Sequence, residues 1–153
     1  KKAFKGKLDK KIIDIYKKDN FFQLNYPKSL DRGYFNKYFY QLRKIKNINA
    51  IHTASMMTIE CINLGIELMK KRIKELIITG GGRKNLFLIS VLKKQLKNKG
   101  IKITLIDKLN FNGDLLEAQA FGYLAVRSLK KLPLSLPTTT GVKKPTLGGI
   151  IYK

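Results

Sequence analysis

The sequence predicts an α/β domain, rich in helix and built on a small, mostly parallel sheet. Three observations carry that prediction. Glu75-Leu76-Ile77-Ile78-Thr79 is a β-favouring run that enters Gly80-Gly81-Gly82 directly, and Leu86, Phe87, Ile89, Val91, Leu92 and Leu96 then recur at helical spacing. Asn98-Lys99-Gly100 ends that helix, with Gly100 suited to a left-handed cap, and Ile101, Ile103, Leu105 and Ile106 form a second strand finishing at Asp107. Such a strand–helix–strand unit makes the two strands parallel, with a right-handed crossover. Finally, 153 residues with 44% hydrophobic content are one domain's worth of chain, residues 1–153.

Taken in order, Leu8, Ile12, Ile13, Ile15 and Tyr16 predict a short amphipathic helix that Asp19-Asn20 ends. Phe21, Phe22, Leu24 and Tyr26 must pack on something, and Pro27 to Gly33 reads as a loop whose Ser29 or Asp31 caps the next helix. Tyr34, Phe35, Tyr38, Phe39 and Leu42 make an aromatic face, read as core-facing rather than as a platform for stacking bases. Asn47 to Asn49 breaks the pattern, and a long helix is expected over 50–71 with Met56, Ile59, Ile62, Ile66 and Met69 along one side. Gly65 inside it implies a closely packed neighbour, because a mid-helix glycine costs up to ~1 kcal/mol relative to alanine. Asn112-Gly113-Asp114 turns into a third helix whose apolar residues surround it, so burial is expected; Pro133 and Pro137 close it off. The tail 145–152 reads as a short extended segment.

Composition limits the function classes. No apolar run approaches the ~20 residues that cross a bilayer. Cys61 is alone, which excludes an internal disulfide and fits a reducing cytoplasm. His52 is the only histidine and reads as a helix-start polar residue, so a zinc site of the usual kind is excluded. The net charge of +22 raises nucleic acid or an acidic membrane as a partner. However, 27 of the 32 basic residues are lysines, scattered along the chain, and the longest basic run is Lys70-Lys71-Arg72. Base readout leans on arginine, so a solvated lysine-rich surface is the favoured reading and a nucleic-acid-binding domain the competing one.

The chemistry centres on the glycine turn. Gly80, Gly81 and Gly82 let the backbone turn sharply and let a ligand approach it, and Asn85 stands at the helix start. Arg83-Lys84-Asn85 is not a Walker lysine–serine pair, and the dinucleotide fingerprint's third glycine is missing, although Asp107 could bond a ribose. The glycines alone leave open a phosphate cradle, an adenosine wall or a turn without ligand. Glu117 is either the partner of Asp114 in a capping box or a carboxylate facing a ligand. Nothing else has the pattern of paired hydrolase carboxylates or a nucleophilic triad.

Four blocks in order resemble the C-terminal part of the anhydro-N-acetylmuramic acid kinases. They are Pro27-Lys28-Ser29 with Arg32 and Phe35-Asn36; Thr79-Gly80-Gly81-Gly82 with Asn85; Gly113-Asp114 through Glu117-Ala118, Ala120-Phe121, Leu124-Ala125 and Arg127; and Leu132-Pro133 through Leu136-Pro137, Thr140-Gly141 and Leu147-Gly148 with Ile150. The resemblance implies a ribonuclease H-like lobe of the actin and hexokinase type. It also implies an activity that uses ATP, Mg²⁺ and water to convert 1,6-anhydro-N-acetylmuramic acid to its 6-phosphate in cell-wall recycling. Carried over, Gly80, Gly81, Gly82 and Asn85 sit on the adenosine side and Glu117 faces the sugar. Around Ala54 to Thr58 methionines replace the family's small and hydroxyl residues, and no Asp-x-Gly-Pro occurs. The catalytic aspartate, the first phosphate motif and most Mg²⁺ contacts are therefore expected upstream of Lys1, in a missing N-terminal lobe. That expectation fits a chain that opens Lys1-Lys2-Ala3-Phe4 and is inactive alone, with a short sheet exposed at its edge. The resemblance leaves room for a homodimer and gives no role to a membrane.

Overall fold

The computed structural model describes residues 1–69, 71–150 and 152, and all of their side chains except that of Arg32. Its helices are α1 (Lys2–Lys5), α2 (Lys10–Lys17), α3 (Asn36–Leu42), α4 (Asn47–Leu68), α5 (Leu86–Lys97), α6 (Leu116–Leu129) and α7 (Pro137–Thr140). Strands β1 (Glu75–Ile78) and β2 (Lys102–Leu105) pair in parallel, Glu75 opposite Lys102 through Ile78 opposite Leu105. The predicted strand–helix–strand unit is therefore present, and Gly100 adopts the left-handed conformation, with φ at 69°. Among the described residues the sheet has two strands, and no helix is long and apolar enough to cross a membrane.

Aspartates start the early elements by accepting orphan N–H groups. Asp9 takes the Ile12 N–H at the head of α2, Asp19 that of Phe21 in a 3₁₀ turn, and Asp31 that of Gly33 in the turn leading to α3. α2 buries Ile12, Ile13 and Tyr16 against Phe22, Tyr38, Leu42 and Met57, which form one core cluster. A second cluster gathers Ala3, Ile59, Phe87, Leu92, Leu96 and Ile101, where α4 meets α5 and the sheet. α4 runs past both. The aromatic stripe of residues 34–42 is core-facing only in part: Tyr38 and Leu42 are buried, whereas Phe39 is 52% exposed.

Four expectations are corrected. Asn47 to Asn49 do not break the chain; they form the first turn of α4, where N–H groups need no acceptor from within the helix, and Asn49 accepts from the Lys7 N–H at 2.9 Å. The described part of α4 ends at Leu68, with Met69 extended and half exposed, so Met69 does not continue the apolar side. Gly65 has open space where a Cβ would stand, so no close neighbour explains it. α6 buries none of its side chains, because no other described helix or strand packs closely against it. It is tied by loops instead: Arg127 Nε donates to the Pro133 carbonyl at 2.7 Å and the Ser128 hydroxyl to that of Gly148 at 2.7 Å. The tail makes a single antiparallel bridge, Thr146 with Ser135. Lys70 of the expected helix end, Ile151 of the tail and the side chain of Arg32 lie outside the described residues.

Candidate functional site at the glycine turn

β1 delivers the chain to Thr79 and Gly80. At Gly80 φ is +71°, a conformation that glycine adopts freely and a side chain strains. A 3₁₀ turn, Gly81–Lys84, follows, and Asn85 then caps α5, its Oδ1 accepting from the N–H groups of Phe87 at 3.1 Å and Leu88 at 3.3 Å. Asn85 is thus engaged in starting the helix. A Cβ at Gly81 or Gly82 would meet nothing within 4 Å, so that side of the turn is open.

Opposite stands the segment that leads into α6. Thr79, Gly80 and Gly81 on one side, with Gly113, Asp114, Leu116 and Glu117 on the other, line a cleft of about 300 Å³. Two of the sequence-derived glycines and Glu117 therefore meet at one place; Gly82 and Asn85 do not line it. Glu117 has no hydrogen bond to Asp114, and of its two readings the capping box is absent: α6 starts from Leu115 without a side-chain cap. Long-range partners claim Asp114 instead, Arg83 Nη1 at 2.9 Å and Lys84 Nζ at 2.7 Å. Glu117 is exposed and has no hydrogen-bond or ion-pair partner among the described residues, in a chain where basic groups far outnumber acidic ones.

The residue that sequence reasoning missed is Arg83, 6% exposed. Its Nε and Nη2 donate to the two oxygens of Asp107 at 2.7 and 3.2 Å, and Nη1 also donates to the Gly80 carbonyl at 3.1 Å. Asp107 is thereby occupied by the arginine rather than presented to a ribose. The Arg83 guanidinium holds the Asp107 carboxyl below the usual carboxylate range, and Arg83 with Lys84 brings Asp114 down to about 2. The carboxylates in turn push the guanidinium up, Asp107 more than Asp114. The one available signal was composition: an arginine at this place in a chain with five arginines and 27 lysines. Among the described residues no cluster of His, Cys, Asp and Glu could hold a metal ion. With Asp107 and Asp114 both paired to Arg83, this donor set does not fit Mg²⁺. His52, for its part, tethers the N-terminus, its Nδ1 2.7 Å from the Ala3 carbonyl oxygen.

What the arrangement offers is a bare backbone wall facing an unpaired carboxylate across a gap the size of a nucleoside or a sugar. Comparison with known proteins narrows this. A family profile described as anhydro-N-acetylmuramic acid kinase matches residues 1–153. The chain is 35% identical to "Anhydro-N-acetylmuramic acid kinase 1" of Jannaschia sp. (strain CCS1), over 96% of this chain and 38% of that protein. It is 38% identical to the anhydro-N-acetylmuramic acid kinase of Rhodopseudomonas palustris (strain HaA2), over 99% of this chain and 40% of that protein. Against the Brucella anthropi kinase of the same name, identity is 33% over 96% and 38% respectively. The chain spans about two fifths of the length of these relatives. A profile matched from the first residue to the last places this chain in the anhydro-N-acetylmuramic acid kinase family.

Proposed function

We propose that the chain supplies the nucleotide-side C-terminal segment of a kinase that uses ATP and water to convert 1,6-anhydro-N-acetylmuramic acid to N-acetylmuramic acid 6-phosphate. The observation that carries the reading is the cleft itself: the bare backbone of Gly80 and Gly81 on one side and the unpaired Glu117 carboxylate on the other. The glycine wall receives adenine and ribose, where the absence of a Cβ permits close approach. Glu117, on the facing wall, accepts a hydrogen bond from a hydroxyl of the sugar. The cleft is at the small end of ligand sites, so it takes an edge of each ligand and the whole of neither. The catalytic carboxylate, the phosphate contacts and Mg²⁺ belong in this reading to parts of the family polypeptide outside residues 1–153, so these residues alone are inactive. The homologues' names and the match over the whole chain support the kinase assignment.

The test is Gly81→Val in the intact protein, with binding of a fluorescent ATP analogue, turnover and thermal melting all measured. A Cβ at Gly81 meets nothing within 4 Å of the chain, so the unliganded melting point stays close to that of the unsubstituted protein. Crowding the ligand instead costs about 1–3 kcal/mol, and Kd rises roughly 5- to 150-fold. Turnover at saturating ATP changes much less. An unchanged ATP affinity would show that the turn is structural only.

A further inference from the structure

Arg83 lines no part of the cleft, yet it joins the cleft's two walls. Nη1 reaches the Gly80 carbonyl at 3.1 Å, on the first wall, and Asp114 at 2.9 Å, on the second. Nε and Nη2 grip Asp107, whose Oδ1 also accepts from the Gly113 N–H at 3.4 Å. The loop closes so tightly on the guanidinium that a Cβ on Gly113 would stand 2.4 Å from Nε. A lysine could not reproduce this. A single ammonium on a flexible stem meets one such group as a point charge, whereas the planar fork meets a carboxylate through two N–H bonds while reaching others.

From this geometry we infer that Arg83 is a positioning residue of the cleft, one that sets the spacing between the Gly80–Gly81 wall and the Gly113–Glu117 wall and through it the affinity for the nucleoside part of the ligand. Which ligand this concerns rests on the nucleotide reading above; the brace between the walls does not. Without the brace the second wall must be ordered at the moment of binding, and that ordering is subtracted from affinity. Three of the four acidic side chains from β1 onward, Glu75, Asp107 and Asp114, are held by basic partners, but only Asp107 and Asp114 share one.

The experiment compares Arg83→Met and Arg83→Lys with Ile59→Val, a fully buried core position in the α4–α5 cluster that lines no part of the cleft. In the intact protein, binding of the fluorescent ATP analogue is titrated, and amide hydrogen exchange over residues 80–84 and 107–117 is followed without ligand. Arg83→Met is expected to raise Kd at least tenfold, Arg83→Lys to recover only part of that, and both to speed exchange in the two segments together. Ile59→Val is expected to lower the melting point while leaving Kd within twofold. Native affinity in Arg83→Met overturns the inference, as does an affinity loss in Ile59→Val that tracks its loss of stability. Should Arg83→Met fail to fold, Arg83→Lys carries the comparison. Should the unsubstituted protein bind no nucleotide, the nucleotide reading fails by itself. The exchange data then decide the brace: faster exchange of both walls upholds it and unchanged exchange overturns it.

Discussion

Gly113→Ala would place a methyl group 2.4 Å from Arg83 Nε, 2.7 Å from Cζ and 2.8 Å from Ile106 Cγ2. Contacts of this kind are comfortable near 3.5–4.0 Å. The guanidinium must shift by about an ångström, and from there it cannot keep Gly80, Asp107 and Asp114 together. Crowding a filled site costs about 1–3 kcal/mol. Replacing glycine also stiffens the unfolded chain, which works in the opposite direction, so the proper reference is Gly81→Ala, where the methyl meets open space. For a chain of this length each kcal/mol moves the melting point by about 2–4 °C. Gly113→Ala should therefore melt about 2–12 °C below Gly81→Ala when both are followed by circular dichroism. In an Arg83→Ala background most of that gap should close, leaving the Ile106 contact alone. Equal melting points for Gly113→Ala and Gly81→Ala would refute the account of the loop as packed against the arginine.

Three further outcomes follow from the structure. Burial pushes the Asp19 carboxyl up, but Lys37, the Tyr34 and Tyr38 hydroxyls and the Phe21 N–H outweigh it and hold it well below the usual range. Its contribution to stability is therefore complete above the unfolded value of about 3.9 and is lost as the pH falls below that, so melting points between pH 2 and 6 should slope more steeply in the native chain than in Asp19→Asn. Burial, with Asp19 adding to it, moves Tyr38 up to about 12, so its share is complete below about pH 10 and fades as the pH rises from there towards 12. Asn85→Ala should cost about 0.5–2 kcal/mol in a urea titration and Asn85→Asp much less, since either oxygen can cap α5; no loss in the alanine variant would show the cap to be idle.

Where the fold was legible in the sequence, the determinants were local. The run from Glu75 into three glycines, the helical spacing after Asn85 and the left-handed Gly100 each depend on residues a few positions apart, and the structure follows them. The misread places depended on something local pattern does not contain. Asn47 and Asn49 looked like a break because their weak helix propensity says nothing about the first turn, where acceptors are not required. The composition of α6 states what the helix would bury, not what lies beside it, and its expected burial was wrong for that reason. At the site, Gly80, Gly81 and Glu117 were legible as candidates one by one, but their meeting in one cleft was a tertiary fact. Asp114 was read as a cap because its real partners, Arg83 and Lys84, lie about thirty residues away along the chain. Charge pairing of that range leaves no periodicity to find.

Met57 and Ile59 sit two positions apart on α4 and look into different cores, the aromatic one beside α2 and α3 and the aliphatic one beneath α5. Each core holds one side of the helix on which the other is built. The aromatic half of the molecule, which contributes no atom to the cleft, is thereby made answerable for the footing of the glycine turn. The two halves should come apart together, in one cooperative step, and not as separate units.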